Sequence, residues 1–329
     1  MERPVSWSEI NTWCQCRMQH YWRYVVGITP KTYQRAPSRG SAGHAALAAA
    51  YLGQDWREAL QEWLKEQIES RELFNEEVAD FEDMVDTASQ ILPRYFDHYA
   101  EEEQHWEVLE TEYKFEISIS GLKTKLKGFI DGIIRDKDGD LWLLEHKFPQ
   151  RQFRSREQVD LNGQLGVYQY AANKCGFPTI GIIYNQLLWQ LPRVPKINKN
   201  GSISRQAIKT DWPTYRAMVS EQGLDPTDYW DMKEKLADTE FFRRFRIYRS
   251  NTENKNFMRD IERRIWDMRK KNKHIYMSGG FFDCPRCSYR DLCIEHTKGG
   301  DVEFLIRNNF QPRYSPLTEE EEEDNAGQN

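Results

Sequence analysis

The sequence lacks several features that would place a protein in a broad class at once. No stretch approaches the roughly 18 to 20 uninterrupted apolar residues that a membrane-spanning helix needs. The N-terminus does not have the charged and then apolar layout of a secretory signal. These absences predict a cytoplasmic protein that does not contact a membrane.

The chain also has no excess of positive charge, which would be the usual sign of a nucleic-acid partner. Its formal net charge is -6, but the run from Glu319 to Asp324 carries six negative charges, so the rest sums to -6 minus -6, or zero. Net charge therefore does not exclude such a partner. The run predicts a disordered acidic tail over residues 315–329. A tail that mimics DNA and covers a basic groove is the alternative.

The chain does contain enough apolar and aromatic residues for a large core, 39% and 13% of its 329 residues. Apolar spacing predicts helices over about 6–24, 41–52 and 55–103, the last with breaks near Phe74 and Pro93. From residue 106 the apolar residues alternate, which predicts antiparallel strands, followed by a helix and another strand. This order predicts an α/β fold. We predict one domain over residues 1–310, with a helical region at 1–105, a core at 106–185, an insertion and basic helical region at 186–278 and a cysteine region at 279–297.

The predicted strand that contains "LLEHKFPQ" places a glutamate and a lysine inside an apolar run. Side chains alternate along a strand, so Glu145 and Lys147 share one face while His146 points to the other. The preceding strand carries Asp131 within the apolar segment "GFIDG". A two-residue turn between the strands would place Asp131 opposite His146. A three-residue turn that ends in a left-handed glycine places Asp131 opposite Glu145 instead, and we predict this turn.

Such a pair of facing carboxylates has a definite chemical use. They repel each other unless a cation lies between them, and Mg²⁺ and Mn²⁺ prefer oxygen ligands. The lysine beside them could orient a water nucleophile and stabilise a phosphorane-like transition state. The alternative is a buried ion pair between Glu145 and Lys147, with Asp131 at a strand end.

These residues resemble a known family. The segment "GFIDGIIRDKDGDLWLLEHKF" is similar to the core of the PD-(D/E)xK nuclease superfamily, in the RecB-like branch that includes the CRISPR-adaptation exonucleases. The resemblance implies a restriction-endonuclease-like fold, in which helices flank a mixed central sheet. It also implies that Asp131 and Glu145 bind Mg²⁺ or Mn²⁺ and that Lys147 assists the chemistry. The backbone carbonyl of His146 would be an additional metal ligand.

Two further motifs extend the resemblance, which covers about residues 6–185. "RGSAGHAAL" is similar to the family's first motif and implies that His44 completes the metal site, as in exonuclease-type members. "QLGVY" is similar to the motif after the catalytic strand and implies catalytic roles for Gln164 and Tyr168. Taken alone, a histidine in an alanine-rich helix is usually a surface or core residue. A spacing of four residues is also common in ordinary helix packing.

The cysteines form a second candidate site. In "CPRCSYRDLC" the spacing C-x2-C-x5-C is tight enough for three thiolates to converge on one centre. In a subset of the resembled branch, such a group and one cysteine of the N-terminal helix hold a [4Fe-4S] cluster. The resemblance implies Cys16 as the N-terminal ligand, with Cys14 as the fallback, and Cys175 as a structural thiol. The implied ligands are Cys16, Cys284, Cys287 and Cys293. Zinc on the same thiolates is the alternative.

Basic residues predict contacts to DNA. Arg151, Arg154 and Arg156 directly follow the catalytic strand and are the expected phosphate contacts. Basic and aromatic residues interleaved over 241–273 could also follow a phosphate backbone, or could form an exposed charged helix with a packed apolar side. No G-x-x-x-x-G-K-[ST] loop is present, so any helicase or recombination partner would be a separate protein.

We therefore expect a metal-dependent DNA exonuclease that acts on single-stranded or frayed ends in recombination, repair or end processing. One alternative is a non-catalytic subunit that binds DNA ends and is stabilised by an iron-sulfur cluster. Another is a structure-specific or restriction-like endonuclease.

Overall fold

A mixed β-sheet forms the centre of the computed structural model, which describes residues 3–32, 35–70, 73–119, 121–271, 273–280 and 282–313. The strands are β1 (Val5–Ser6), β2 (Ile28–Pro30), β3 (Glu107–Ser118), β4 (Lys125–Arg135), β5 (Leu141–Lys147), β6 (Gly181–Leu187), β7 (Phe242–Tyr248) and β8 (Phe310–Pro312). Their order is β1-β4-β5-β6-β7, with β3 beside β4, and β2 pairs separately with β8. Parallel pairs (β1 with β4, β5 with β6) occur together with antiparallel ones, so the predicted mixed sheet is confirmed.

Helices cover both faces of this sheet, as the fold class requires. They are α1 (Trp7–Gln15), α2 (Arg17–His20), α3 (Arg35–Tyr51), α4 (Trp56–Glu69), α5 (Asn75–Glu103), α6 (Arg156–Asp160), α7 (Gly163–Lys174), α8 (Trp212–Glu221), α9 (Trp230–Leu236), α10 (Asn251–Arg269), α11 (Arg290–Lys298) and α12 (Val302–Asn309). Helices α1, α7 and α10 bury one core, which includes Leu143 and Ile182 of the sheet. Helices α3, α4 and α5 bury a second core, which includes Leu187.

The hairpin between β4 and β5 has the predicted three-residue turn. Asp136 and Asp140 close it with a hydrogen bond of 3.0 Å from N–H to carbonyl, and Gly139 has a φ of 88°. Only glycine adopts this left-handed conformation at little cost. The strands then pair Gly132 with Leu144. This register places Asp131 opposite Glu145, so the register prediction is confirmed.

Two of the predicted helix boundaries are wrong. Pro93 lies inside α5, which runs without interruption to Glu103. A proline in a helix removes one backbone hydrogen bond, but the neighbouring Leu92 and Tyr95 are fully buried and hold the helix together through packing. The predicted N-terminal helix is interrupted at Cys16, which has extended backbone angles of -156° and 115°.

Segments from near the two ends of the described chain pair in a small second sheet. Strand β2 pairs with β8, so residues near 28 and 311 lie side by side. Beneath them Trp22, Tyr289 and Leu292 form a separate apolar cluster. The predicted acidic tail at 315–329 lies outside the described residues. In the described part of the chain, no helix is both long enough and apolar enough to cross a membrane.

Candidate active site

The predicted acidic pair lies at an opening in the sheet. One edge of β4 pairs with β1 at Leu126 and Lys127 and with β5 from Gly132 to Arg135, which leaves the residues between uncovered on that edge. Asp131 lies in this interval. Its Oδ2 accepts a hydrogen bond of 2.6 Å from the backbone N–H of His146. The end of β5 therefore fixes the position of the Asp131 carboxylate.

Glu145 and Lys147 extend from the end of β5 towards the same opening. The Glu145 side chain is only 1% exposed, and its Oε1 forms an ion pair with the Lys147 ammonium group. Its Oε2 is buried and has no hydrogen-bond partner. A buried carboxylate oxygen without a partner is costly, so this atom needs a ligand that the protein itself does not supply.

His44 and an unpredicted residue, Glu112, complete the group. His44 Nδ1 lies 3.5 Å from Asp131 Oδ2 and 3.7 Å from Glu112 Oε1. One potential ligand atom from each of these three residues lies within 4.8 Å of the other two. An imidazole and two carboxylates in this arrangement could hold a divalent metal ion.

The backbone at Glu112 is unusual for a strand. Its φ is 47°, a left-handed value that costs a non-glycine residue on the order of 1 to 3 kcal/mol. By the register of β3 and β4, Glu112 lies opposite Asp131. Glu112 has no distinct signal in the sequence, because every second residue of β3 from 110 to 116 is charged, as on an ordinary solvent-exposed face of a strand.

The charges at this site strongly affect one another. Burial, together with the neighbouring carboxylates, raises the pKa of both Glu112 and Glu145 to about 7. Burial raises the pKa of Asp131 to about 6, although Lys147 and the His146 N–H oppose this. Burial and Lys147 lower the pKa of His44 to about 4. Burial alone would lower the pKa of Lys147, but Glu145 and Asp131 raise it.

A buried polar network supports the end of β5 from behind. The His146 ring stacks on Tyr51 at 5.7 Å, and its Nδ1 lies 3.1 Å from the Asn185 amide nitrogen. Asn185 also donates to the Tyr95 hydroxyl at 2.8 Å. Burial lowers the pKa of His146 well below its usual value. The His146 side chain thus holds its strand in place, while its backbone faces Asp131.

Helix α7 places the two residues of the predicted "QLGVY" motif on the other side of the carboxylates. Burial, and then the charge of Glu145, raise the pKa of Tyr168, while a hydrogen bond from Gln164 opposes that rise. Tyr184, which pairs with Glu145 across β5 and β6, was not predicted. Its hydroxyl is buried without a hydrogen-bond partner, and burial raises its pKa against the effect of Arg154.

The three predicted DNA-contacting arginines have different surroundings. Arg154 is near the Tyr184 hydroxyl, and Tyr184 in turn pairs with Glu145 across β5 and β6. Arg151 lines a polar cavity of about 570 Å³ together with Lys209 and Arg243. Arg156 forms an ion pair with a carboxylate of its own helix at 3.0 Å. Arg151 and Arg154 are therefore better placed than Arg156 to meet a phosphate.

Of the two alternatives for the late basic residues, three arginines on and after β7 fit a role within the fold better than contact with a phosphate backbone. Arg244 is only 6% exposed and forms ion pairs with Glu102 and Glu103. Arg246 pairs with Glu102 at 2.8 Å, and Arg249 donates to two backbone carbonyls. On α10, the apolar side is buried against the first core and the charged side is exposed. These residues stabilise the fold.

The four predicted cluster cysteines line one cavity. Its volume is about 330 Å³, and its lining includes Cys16, Cys284, Cys287 and Cys293. Burial, and then the nearby thiols, raise the pKa of Cys293 and of Cys287. Cys14 lines a different cavity, with Arg264. The interruption of the helix at Cys16 therefore separates the two neighbouring cysteines into different cavities.

Comparison with known proteins agrees with this geometry. The model of the PD-(D/E)XK nuclease superfamily matches residues 4–294. The chain therefore belongs to the PD-(D/E)XK nuclease superfamily. A search of curated proteins finds no match.

Solved structures include two with a similar arrangement of elements. A candidate exonuclease from Eubacterium rectale is 12% identical, with 77% of this chain and 88% of that chain covered and a TM-score of 0.37. The protein SSO0001 is 13% identical, with 78% and 84% covered and a TM-score of 0.30. Neither similarity is strong enough to carry a functional argument.

Proposed function

We propose that this protein is a divalent-metal-dependent deoxyribonuclease, an exonuclease that acts on single-stranded or frayed DNA ends. The observation that carries the proposal is the convergence of Asp131, Glu145 and Lys147 at one opening, where Glu145 Oε2 is buried without a partner. A structural ion pair alone would leave that oxygen unsatisfied. A metal ion bound to that oxygen would satisfy it.

In this proposal Asp131, Glu145 and the His146 carbonyl hold Mg²⁺ or Mn²⁺, with His44 as a further ligand. The metal would polarise a phosphoryl oxygen and lower the pKa of bound water. Lys147 lies against Glu145 and orients the attacking water while it neutralises developing negative charge. Gln164 and Tyr168 border the same carboxylates and help to position the nucleophile and the phosphate.

Glu112 adds a ligand that the resemblance did not include. It is close to His44 and opposite Asp131, so it can bind the ion directly or through water. Its side chain is 42% exposed, which leaves it accessible to an incoming metal. We propose that Glu112 increases metal affinity.

Phosphate contacts would continue past Lys147. Arg154 is near Tyr184, the neighbour of Glu145 across the strands, and Arg151 contributes to the polar cavity with Lys209 and Arg243. Burial, together with Arg243, lowers the pKa of Lys209, and an anion in the cavity would relieve this repulsion. Asp238 and Glu240 also line this cavity, and Glu240 pairs with Arg243, so Arg151 and Lys209 are the proposed contacts to a phosphate near the scissile bond.

The exonuclease assignment is tested by digestion of end-labelled linear DNA beside closed circular single strands, with Mn²⁺ or Mg²⁺. We expect the linear strands to be degraded from an end and the circles to stay intact. Glu145→Ala should lose activity by several orders of magnitude. Cutting of circles would support an endonuclease instead, and no digestion of any DNA would favour a non-catalytic end-binding subunit.

We also propose that Cys16, Cys284, Cys287 and Cys293 hold a [4Fe-4S] cluster. Thiolates on one tetrahedral zinc ion would lie about 3.8 Å apart, given a bond length of about 2.3 Å. Among the described residues, the one group of three potential ligands within 4.8 Å of one another is at the carboxylate site, so the cysteine sulfurs are more widely spread. Their shared cavity of about 330 Å³ favours the larger group. The site would be structural, because it joins both ends of the chain.

A further inference from the structure

Beyond the carboxylates, the β3–β4 hairpin continues as a two-stranded surface. Lys114 and Phe129 form the cross-strand pair two residues on from Glu112 and Asp131. Alternate residues of a strand share one face and are about 7 Å apart. Lys114 and Phe129 are therefore about 7 Å along their strands from the two acidic residues, although the left-handed backbone of Glu112 interrupts the regular alternation between them.

Phe129 is 52% exposed, although the next residue, Ile130, is fully buried. A single exposed aromatic residue is common and needs no explanation by itself. The charges around this one make it informative. Lys114 and Lys127 lie on the same face, and neither forms an ion pair with a carboxylate in the part of the chain that the structure describes.

Lys114 and Lys127 therefore add two positive charges beside the exposed ring. The carboxylate opposite Lys127 is Glu116, which pairs instead with Lys125 at 2.8 Å. The ammonium groups of Lys114 and Lys127 thus flank the exposed ring of Phe129. All three residues are next to the candidate metal site, where the proposed function places phosphodiester cleavage. Unpaired cations favour an anionic polymer, and an aromatic ring stacks on a nucleic-acid base only where the base is free of its duplex.

We propose that this surface, formed by Lys114, Lys127 and Phe129, binds the single-stranded DNA segment that enters the active site. One base stacks on Phe129, and backbone phosphates lie near Lys114 and Lys127. The inference rests on the proposed nuclease function and specifies its substrate: the strand must be unpaired next to the scissile phosphate. A fully paired duplex could not place a base on the ring.

The test is the binding of a fluorescein-labelled oligothymidylate, measured by anisotropy without divalent metal so that no cleavage occurs. We expect Phe129→Ala to weaken binding about 5- to 150-fold, because stacking on one base is worth about 1 to 3 kcal/mol. Phe129→Trp should restore it. An oligonucleotide of abasic residues should bind Phe129→Ala and the wild type equally. The matched control is Phe304→Ala, because Phe304 on α12 is also an exposed phenylalanine, at 56%. This variant should bind as the wild type does.

The lysines have a separate signature. Lys114→Ala should weaken the binding of both oligonucleotides and reduce the slope of log affinity against log salt by about 0.7, the value for one phosphate contact on a single strand. Lys199→Ala, at an exposed position in the loop after β6, is the matched control and should leave the slope unchanged.

Two results would overturn the inference. One is a Phe129→Ala variant that binds oligothymidylate as tightly as the wild type. The other is a Phe129→Ala variant that loses as much affinity for the abasic strand as for oligothymidylate. Binding does not depend on cleavage, so the two proposals can fail separately. A wild type that digests DNA while Phe129→Ala binds normally contradicts only this inference. A wild type that binds through Phe129 but digests no DNA contradicts only the proposed function.

Discussion

At the scale of single residues, the site holds more negative charge than its one lysine can balance. Glu112, Asp131 and Glu145 face one another, with Glu145 buried, Asp131 nearly buried and Glu112 partly exposed, and the pKa of each is raised. In the metal-free protein, protons therefore remain on these groups at a higher pH than usual. A divalent ion replaces those protons, so metal affinity should increase with pH.

Glu112→Gln tests this competition. The pKa of Glu112 in the folded protein is about 7, above the ordinary 4.5. The folded state therefore gains stability from the protonated Glu112 carboxyl, in full below about pH 4.5, and loses it as the pH rises to about 7. Without metal, the melting temperature of the wild type should thus fall more from pH 5 to pH 8 than that of Glu112→Gln. At pH 8, Mn²⁺ should raise the wild-type value more.

Glu110→Gln, on the same strand, is the control for that measurement and should follow the wild type. Identical pH profiles for Glu112→Gln and the wild type would remove Glu112 from the site. The comparison needs only thermal melts monitored by circular dichroism.

Asp131, Glu145 and Lys147 could be predicted because charges inside an apolar run are conspicuous. Glu112 could not, since its strand has a wet face on which many charges occur. Tyr184 was missed for a different reason: β6 is buried on both faces, and a tyrosine there resembles any other core residue. Its position next to Glu145 depends on the parallel pairing of β5 and β6, which is a long-range contact.

At the scale of elements, local chemistry determined what could be predicted. The turn at Gly139 fixes the register of β4 and β5, so a few adjacent residues were enough to place Asp131 opposite Glu145. Pro93 is the opposite case, because packing outweighs the local preference of proline to end a helix. The interruption at Cys16 likewise depends on distant partners, since the backbone N–H of Met18 donates to the Tyr276 carbonyl at 3.1 Å.

At the scale of the whole molecule, the cysteine cavity joins segments that are far apart in sequence. Cys16 lies near the N-terminus, and Cys293 lies in α11, close to the β2–β8 pair. The apolar cluster around Leu292 and this strand pair hold the same region together. A bound cluster would add to these contacts, so we expect its loss to lower thermal stability without complete unfolding.

Cys16→Ser and Cys14→Ser form a matched pair for this site. Anaerobically purified wild type and Cys14→Ser should be brown, with broad visible absorbance and bound iron. Cys16→Ser should lose the colour and the iron and should melt at a lower temperature. A colourless wild-type protein that contains zinc would refute the iron-sulfur assignment, and loss of iron from Cys14→Ser would make Cys14 the ligand.

The central claim is that Asp131, Glu145 and Lys147 act on one divalent ion, and the most direct test is to separate binding of that ion from cleavage. Mn²⁺ binding by calorimetry and degradation of a labelled single strand are measured for the wild type, Glu145→Gln and Lys147→Met. The account predicts that Glu145→Gln loses both metal binding and cleavage. Lys147→Met should retain metal binding and lose cleavage at least about 100-fold. Wild-type cleavage by Glu145→Gln, or normal Mn²⁺ binding by that variant, would contradict the account.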